Sequence, residues 1–154
     1  MDPATSVADQ CGGVDRIIEL DDGRRVRWEE KIRFRQFTDV LLEFQNSRVG
    51  RPGWVNKPQH NDAVLYLILP RELCYLLPGA ALRRAWNNNG EQWKQRRVVK
   101  SGNDPNDLSV AVGWDELNRA MRNTGKRLDC RQIFAGMGKE NKPCQLTMFA
   151  SLGD

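Results

Sequence analysis

The chain has 154 residues, enough for one domain with a sizeable core and too few for two. Hydrophobic residues make up 40% of it, a share typical of a globular domain and not of a disordered chain. The longest apolar run, at residues 63–69, is far too short to cross a membrane, and residues 1–14 lack the basic start and apolar block of a secretory signal. We therefore expect a soluble, cytoplasmic protein that does not act at a membrane.

Positive charge is concentrated in one segment. The whole chain has a net charge of +4, and residues 24–35 alone account for it, with six basic and two acidic side chains. A local basic stripe of this kind favours binding of a polyanion such as nucleic acid. A charged hairpin that merely faces solvent is the alternative interpretation, since charge runs are often simply solvated.

The first part of the chain predicts a short helix before residue 13 and then a β-hairpin. Residues 15–20 form the first strand, Asp21-Asp22-Gly23 marks a tight turn, and residues 24–34 form the return strand. Side chains alternate along the return strand, so its two faces differ in character. The members of the two faces are apolar Val26, Trp28, Ile32 and Phe34, and charged Arg25, Arg27, Glu29, Lys31 and Arg33.

The rest of the chain predicts further strands and two helices. Residues 37–45 fit either a buried strand or a short helix, and we favour the strand. Residues 63–69 and 73–77 are apolar runs typical of strands buried on both faces. The other expected elements are a helix at 78–88, a polar loop at 95–107, a strand at 109–112 and a helix at 114–122. The pattern predicts one α/β domain over residues 1–135, a mixed β-sheet flanked by helices, and a flexible tail over residues 136–154.

Tryptophans and cysteines are assigned structural roles. Helical and strand periodicity favours a core position for Trp28, Trp86, Trp93 and Trp114 over a role as platforms for base stacking. The four cysteines contain no C-x-x-C pair, so we expect reduced thiols and no zinc site. Cys74 lies in an apolar run and is expected to be buried.

Three charged side chains of the hairpin are predicted to meet at one point. The turn folds Asp15 back toward the strand that bears Glu29, and Glu29 and Lys31 project from the same face. Paired carboxylates form a hard oxygen site for Mg²⁺, which polarises a phosphoryl oxygen and lowers the pKa of a bound water. A neighbouring lysine can orient that water and neutralise charge on the phosphate. The pattern suits phosphodiester hydrolysis, with flanking phosphates held by Arg25, Arg27 and Arg33.

At these residues the sequence resembles the PD-(D/E)XK nuclease superfamily. Asp15 matches the first acidic position, Glu29 the second and Lys31 the lysine, and the resemblance extends over residues 13–78. It implies a restriction-endonuclease-like fold, a DNA substrate, and dependence on Mg²⁺ with Mn²⁺ as a substitute. It also implies that the backbone carbonyl of Glu30 joins the metal shell.

A longer run is similar to small phage-type endonucleases. It continues from the hairpin through Asp39-Val40-Leu41-Leu42-Glu43, Gly53-Trp54 and Asp62. The resemblance implies that Glu43 is a further catalytic acid near the metal. It also implies a protein encoded by a phage and acting inside a bacterial host.

Departures from the family pattern leave alternatives open. Val14 stands where the family often has proline, and Glu30 is an acid on an otherwise apolar face. A register shifted by one residue would make Glu30 the metal ligand and turn Lys31 to the other face. Rival interpretations are a non-catalytic DNA- or clamp-binding protein, and an interaction protein whose hairpin is merely charged. Both a monomer and a homodimer are compatible with the sequence.

The tail contains a second motif. Gln145-Leu146-Thr147-Met148-Phe149 resembles the pentapeptide by which bacterial replication and repair proteins bind the sliding clamp. In that mode Leu146, Met148 and Phe149 fill a hydrophobic cleft while Gln145 hydrogen-bonds at its rim. An edge strand of the domain is the alternative interpretation of these residues.

Overall fold

The computed structural model describes residues 2–3, 14–20, 22–46, 51–57, 61–96, 98–100 and 107–129. The strands are β1 (Asp2–Pro3), β2 (Arg16–Glu19), β3 (Arg25–Arg33), β4 (Asp39–Asn46), β5 (Arg51–Pro52), β6 (Ala63–Ile68), β7 (Leu73–Pro78), β8 (Val98–Lys100), β9 (Leu108–Gly113) and β10 (Lys126–Asp129). The helices are α1 (Gly79–Arg96), α2 (Trp114–Ala120) and a 3₁₀ turn at Leu69–Arg71. Of the segment predicted to form an N-terminal helix, only Asp2–Pro3 is described before residue 13, and it is a strand. The predicted tail at residues 136–154 lies outside the described residues.

The larger sheet has the strand order β1-β2-β3-β6-β7-β10. Strands β3 and β6 run parallel, and the other neighbours run antiparallel. The predicted α/β class with a mixed sheet is therefore confirmed. The hairpin between β2 and β3 turns at Gly23, whose φ of 80° is a left-handed conformation that glycine adopts without strain.

A second sheet, with the order β5-β4-β9-β8, is entirely antiparallel. The ambiguous segment at residues 37–45 is a strand, as favoured, but the expectation of one sheet is wrong because β4 pairs with β9. An apolar run indicates that a strand will be buried, and it does not specify which strand lies beside it.

The main hydrophobic core joins both sheets and both helices. All six residues of β6 are buried, and their alternate side chains enter two clusters on opposite faces. On the face of the main core lie Val64, Tyr66 and Ile68, packed with residues of β4, β9, α1 and α2. On the other face lie Ala63, Leu65 and Leu67, packed with Val26, Trp28, Cys74 and Leu76. The prediction that β6 and β7 are buried on two faces is confirmed, as is the expected burial of Cys74.

Helix α1 ends at Arg96, beyond the predicted end at residue 88, and β8 follows where a polar loop was expected. Helix propensity falls over residues 87–90, but the next turn carries Trp93, which is buried and donates from Nε1 to Glu116 at 2.8 Å. Gly90 is buried against the ring of Trp86. Packing of the two tryptophans therefore overrides the weak local propensity.

The end of the domain also differs from expectation. Helix α2 ends at Ala120 rather than at residue 122, and Arg122 and Asn123 adopt left-handed φ values of 59° and 58° that stop the helix. The unpredicted strand β10 then pairs with β7 at the edge of the larger sheet. Its short polar sequence gives no periodic signal of a strand.

Candidate functional site

Asp15 is held against the edge of β3 by two hydrogen bonds. The register of β2 and β3 ends at the pair Arg16 and Trp28, and the backbone amide of Asp15 donates to the Trp28 carbonyl at 2.9 Å. One step further along β3, the backbone amide of Glu30 donates to Oδ2 of Asp15 at 2.6 Å. The carboxylate of Asp15 thus accepts the hydrogen bond that a backbone carbonyl of a longer β2 would accept.

Glu30 presents its backbone and its side chain in different directions. The N–H and C=O of one residue point to the same edge of a strand, so the Glu30 carbonyl lies on the edge that Asp15 occupies. The side chain points to the opposite face from Glu29 and pairs with Arg16, Oε1 to Nε, at 2.6 Å. The shifted register, with the Glu30 carboxylate in place of Glu29, does not match this arrangement.

Glu29 is a buried carboxylate at the rim of the main core. Its side chain is 3% exposed and lies on the same face as Val64 of the parallel neighbour β6. Oε2 accepts a hydrogen bond from Nδ2 of Asn61 at 3.0 Å, and Oε1 forms an ion pair with Nζ of Lys31. The Lys31 ammonium also lies 5.8 Å from the ring centre of Trp54, within the range of a cation–π contact. Glu29 and Lys31 therefore hold each other in one geometry.

The charges around Glu29 oppose one another. Burial raises the pKa of the Glu29 carboxyl above its usual value, and the nearby negative charge of Asp15 adds to the increase. The positive charges of Lys31 and Lys57 lower the pKa but do not cancel the effect of burial. The influence of Asp15 on this titration is consistent with the predicted meeting of Asp15, Glu29 and Lys31 at one point.

Replacing Glu29 with glutamine is expected to leave the protein at least as stable at neutral pH, with a gain of up to about 1 kcal/mol. Because the folded-state pKa of Glu29 is raised, its ionisation lowers the free energy of unfolding as the pH rises from the usual pKa of glutamate through the raised value. Glutamine removes that cost and still accepts the bond from Asn61. Urea unfolding should show the gain at neutral pH and none in acid, where Glu29 is protonated. A variant clearly less stable at neutral pH would contradict this account.

The three arginines predicted to hold phosphates share the face of Glu29, and two of them are ion-paired. Arg27 pairs with Asp62, whose Oδ2 also accepts the Arg27 backbone amide at 2.8 Å. Arg33 pairs with Asp39 at 2.7 Å and stacks on Phe37. Arg25 is exposed and makes no ion pair within the described part of the chain.

The apolar face of β3 departs from expectation at its end, where Ile32 and Phe34 are 48% and 75% exposed.

Glu43 belongs to a different sheet from the strand that carries Glu29 and Lys31. It lies on β4 of the second sheet, and its Oε1 accepts a hydrogen bond from Asn46 at 3.2 Å. Over the described ranges, no hydrogen bond or ion pair joins Glu43 to Asp15, Glu29 or Lys31.

The donor set at this point suits a hard divalent cation. It consists of the carboxylates of Asp15 and Glu29 and the carbonyl of Glu30, which are the oxygen ligands that Mg²⁺ prefers. Among the described residues, no group of three or more histidine, cysteine, aspartate or glutamate side chains has the geometry of a metal site. Mg²⁺ commonly binds through one or two carboxylates and keeps several waters, so the pair and the carbonyl fit such an ion.

Sequence reasoning missed two residues of this site. Asn61 stands just before β6 and reaches Glu29 only because β6 pairs with β3 in parallel. Lys57 follows the turn at residues 54–56 and acts on Glu29 through its charge. Asp62, which follows Asn61, was already part of the family resemblance. The sequence signal that could have indicated Asn61 is its place in an Asn-Asp pair just before a buried strand.

Comparisons of the chain with protein-family models, with curated proteins and with solved structures gave no match. No helix in the described ranges is both long enough and apolar enough to span a membrane. The pentapeptide at residues 145–149 lies outside the described residues.

Proposed function

We propose that the protein is a divalent-metal-dependent endonuclease that hydrolyses DNA phosphodiester bonds, with a restriction-endonuclease-like fold. The observation that carries the proposal is the buried Glu29, which pairs with Lys31 and lies close enough to Asp15 for the charge of Asp15 to raise the Glu29 pKa. A buried carboxylate with a raised pKa, beside a second acid and a lysine, is an arrangement more typical of a functional site than of a surface hairpin.

Each of these residues has a distinct role in the proposed mechanism. Asp15, Glu29 and the Glu30 carbonyl would hold the cation, which would supply Lewis acidity and an activated water. Asn61 fixes the rotamer of Glu29 through its hydrogen bond at 3.0 Å. The Lys31 ammonium orients the attacking water and neutralises charge that develops on the phosphate.

The surrounding charge supports a nucleic-acid substrate. Arg25, Arg27 and Arg33 lie on the face of β3 that carries Glu29, so they line a path for phosphates on either side of the scissile bond. Arg27 and Arg33 are paired with Asp62 and Asp39 in pairs that are partly exposed to solvent. The Arg27–Asp62 pair is the more exposed of the two, and an exposed ion pair contributes little to stability and is readily exchanged for a phosphate contact.

A cleavage panel tests the proposal. Duplex, nicked, branched and single-stranded DNA are incubated with Mg²⁺, with Mn²⁺ and with a chelator, and the products are separated by electrophoresis. We expect cutting with either ion and none with the chelator. Binding that needs no metal and is followed by no cleavage of any substrate would instead identify a non-catalytic DNA-binding protein. Absence of any salt-dependent affinity for DNA would leave only a charged interaction protein.

Recruitment to the sliding clamp is proposed as a separate property of the tail. Deleting residues 145–149 is expected to abolish retention of the protein on an immobilised bacterial clamp, because the apolar anchors Leu146, Met148 and Phe149 are lost. Cleavage of DNA without the clamp should be unchanged. Retention of the deletion variant equal to that of the full chain would rule out this peptide as the clamp ligand.

A further inference from the structure

A cleft opens at the end of the larger sheet, where β3 and β6 begin and β7 ends. Its volume is about 310 Å³. The basic part of its wall is formed by Arg24, Arg25 and Arg83, and an apolar part by Leu20, Val26 and Pro78. The volume is at the lower end of the range for small-ligand sites and suits a group the size of one nucleotide, not a duplex.

The charge of the cleft favours an anion. Three guanidinium groups line it, two from the adjacent residues Arg24 and Arg25 and one from Arg83 of α1, against one carboxylate, that of Asp62. That carboxylate is already engaged by the backbone and side chain of Arg27. Arg24 pairs with Asp22 in an exposed contact of 2.7 Å, which costs little to break. Planar guanidinium groups bind phosphate oxygens in a bidentate manner, so this wall is suited to a phosphate group.

The cleft is connected to the candidate catalytic site through Asn61. This residue lines the cleft and also donates its hydrogen bond to Glu29. Arg25 and Glu29 lie on the same face of β3. The distance between the two positions along the strand is about 13 Å, at roughly 3.3 Å per residue. A strand with its scissile phosphate at Glu29 and Lys31 can therefore continue into the cleft within a few nucleotides.

We propose that the cleft holds one unpaired nucleotide of the nucleic-acid substrate, with its phosphate on the arginines and its sugar and base against the apolar wall. The occupant must be unpaired because the cleft has no room for a complementary strand. The protein then prefers DNA in which a single-stranded segment adjoins the bond that is cut. This preference rests on the proposed nuclease function, whereas binding of the nucleotide does not.

Binding is tested with a fluorescent oligothymidylate in the presence of a chelator, so that no cleavage is required. Arg25→Ala is expected to weaken binding about tenfold, as loss of a charged hydrogen bond predicts. It should also reduce the slope of log affinity against log salt by about 0.7, the value for one phosphate contact on a single strand. The matched control is Arg84→Ala, which removes the same charge from α1 at an exposed position outside the cleft. The control should change affinity by less than about twofold.

Equal weakening by Arg25→Ala and Arg84→Ala would overturn the proposal, because binding would then follow net charge and not the cleft. A second variant, Arg24→Ala, should weaken binding as Arg25→Ala does. Agreement of the two variants shows that the loss of affinity does not come from a structural change caused by one substitution. The cutting preference is tested separately, by comparing flapped with blunt duplex DNA in Mn²⁺. The assignment is supported if the wild type cuts the flapped DNA faster than the blunt duplex and Arg25→Ala loses this difference. Equal rates of the wild type on both substrates overturn it. If the wild type binds the oligothymidylate through the cleft but cuts nothing, only the nuclease proposal fails.

Discussion

Substituting Asp15 with asparagine is expected to lower the rate of metal-dependent DNA cleavage about a thousandfold or more, while the fold is retained. Loss of one of two anionic ligands removes several kcal/mol of transition-state stabilisation, which corresponds to a change of this size. The fold should survive because Asp15 is exposed, and the Oδ1 of asparagine can still accept the hydrogen bond from the Glu30 amide. The measurement is the initial rate of nicking of a supercoiled plasmid in Mg²⁺ at matched protein concentration.

The matched control for this variant is Glu19→Gln. Glu19 is an exposed acid on β2 of the same hairpin, and its substitution changes the net charge by the same amount. We expect the control to cut at a rate close to that of the wild type. Asp15→Asn activity within about tenfold of the wild type would show that Asp15 is not a ligand of an essential ion.

Substituting Gly53 with alanine is expected to destabilise the protein by about 3 kcal/mol. A Cβ at this position would lie 2.3 Å from the carbonyl oxygen of Glu43 and 2.6 Å from the carbonyl carbon of Phe44. Both are backbone atoms of β4, so the clash cannot be relieved by rotating a side chain. The Gly53 amide also donates to Phe44 at 3.0 Å, which fixes the close approach of the two segments.

The effect of Gly53→Ala should extend to the candidate site. The next residue, Trp54, is buried under Lys31, and Lys57 of the same turn acts on Glu29. Displacing the turn is therefore expected to reduce cleavage beyond what the loss of folded protein explains. Gly113→Ala is the control, since a Cβ there meets nothing within 4 Å, and its stability should change by no more than about 0.5 kcal/mol. Equal midpoints of chemical denaturation for the two variants would contradict the packing described for Gly53.

The part of the site that could be predicted from sequence depends on local geometry. The turn at Asp22-Gly23 and the period of two along β3 are sufficient to place Glu29 and Lys31 on one face and Glu30 on the other. Counting back across the hairpin also brings Asp15 to the edge of β3. These relations require no knowledge of distant segments.

The remainder depends on contacts between segments far apart in the sequence. The burial of Glu29 and its bond from Asn61 follow from the parallel pairing of β3 with β6, which no local pattern encodes. The departure of β4 to a second sheet is of the same kind. Helix α1 continues past a segment of weak helix propensity because Trp93, in its last part, packs in the main core.

Calorimetric titration with Mn²⁺ tests the central claim most directly, because it reports on the ion and not on cleavage. We expect the wild type to bind Mn²⁺ with a fitted stoichiometry of a single site, and Asp15→Asn and Glu29→Gln each to weaken binding at least about tenfold. Glu19→Gln should bind as the wild type does. Affinity that is the same in the wild type, Asp15→Asn and Glu29→Gln would contradict the account, because the ion would then be held elsewhere.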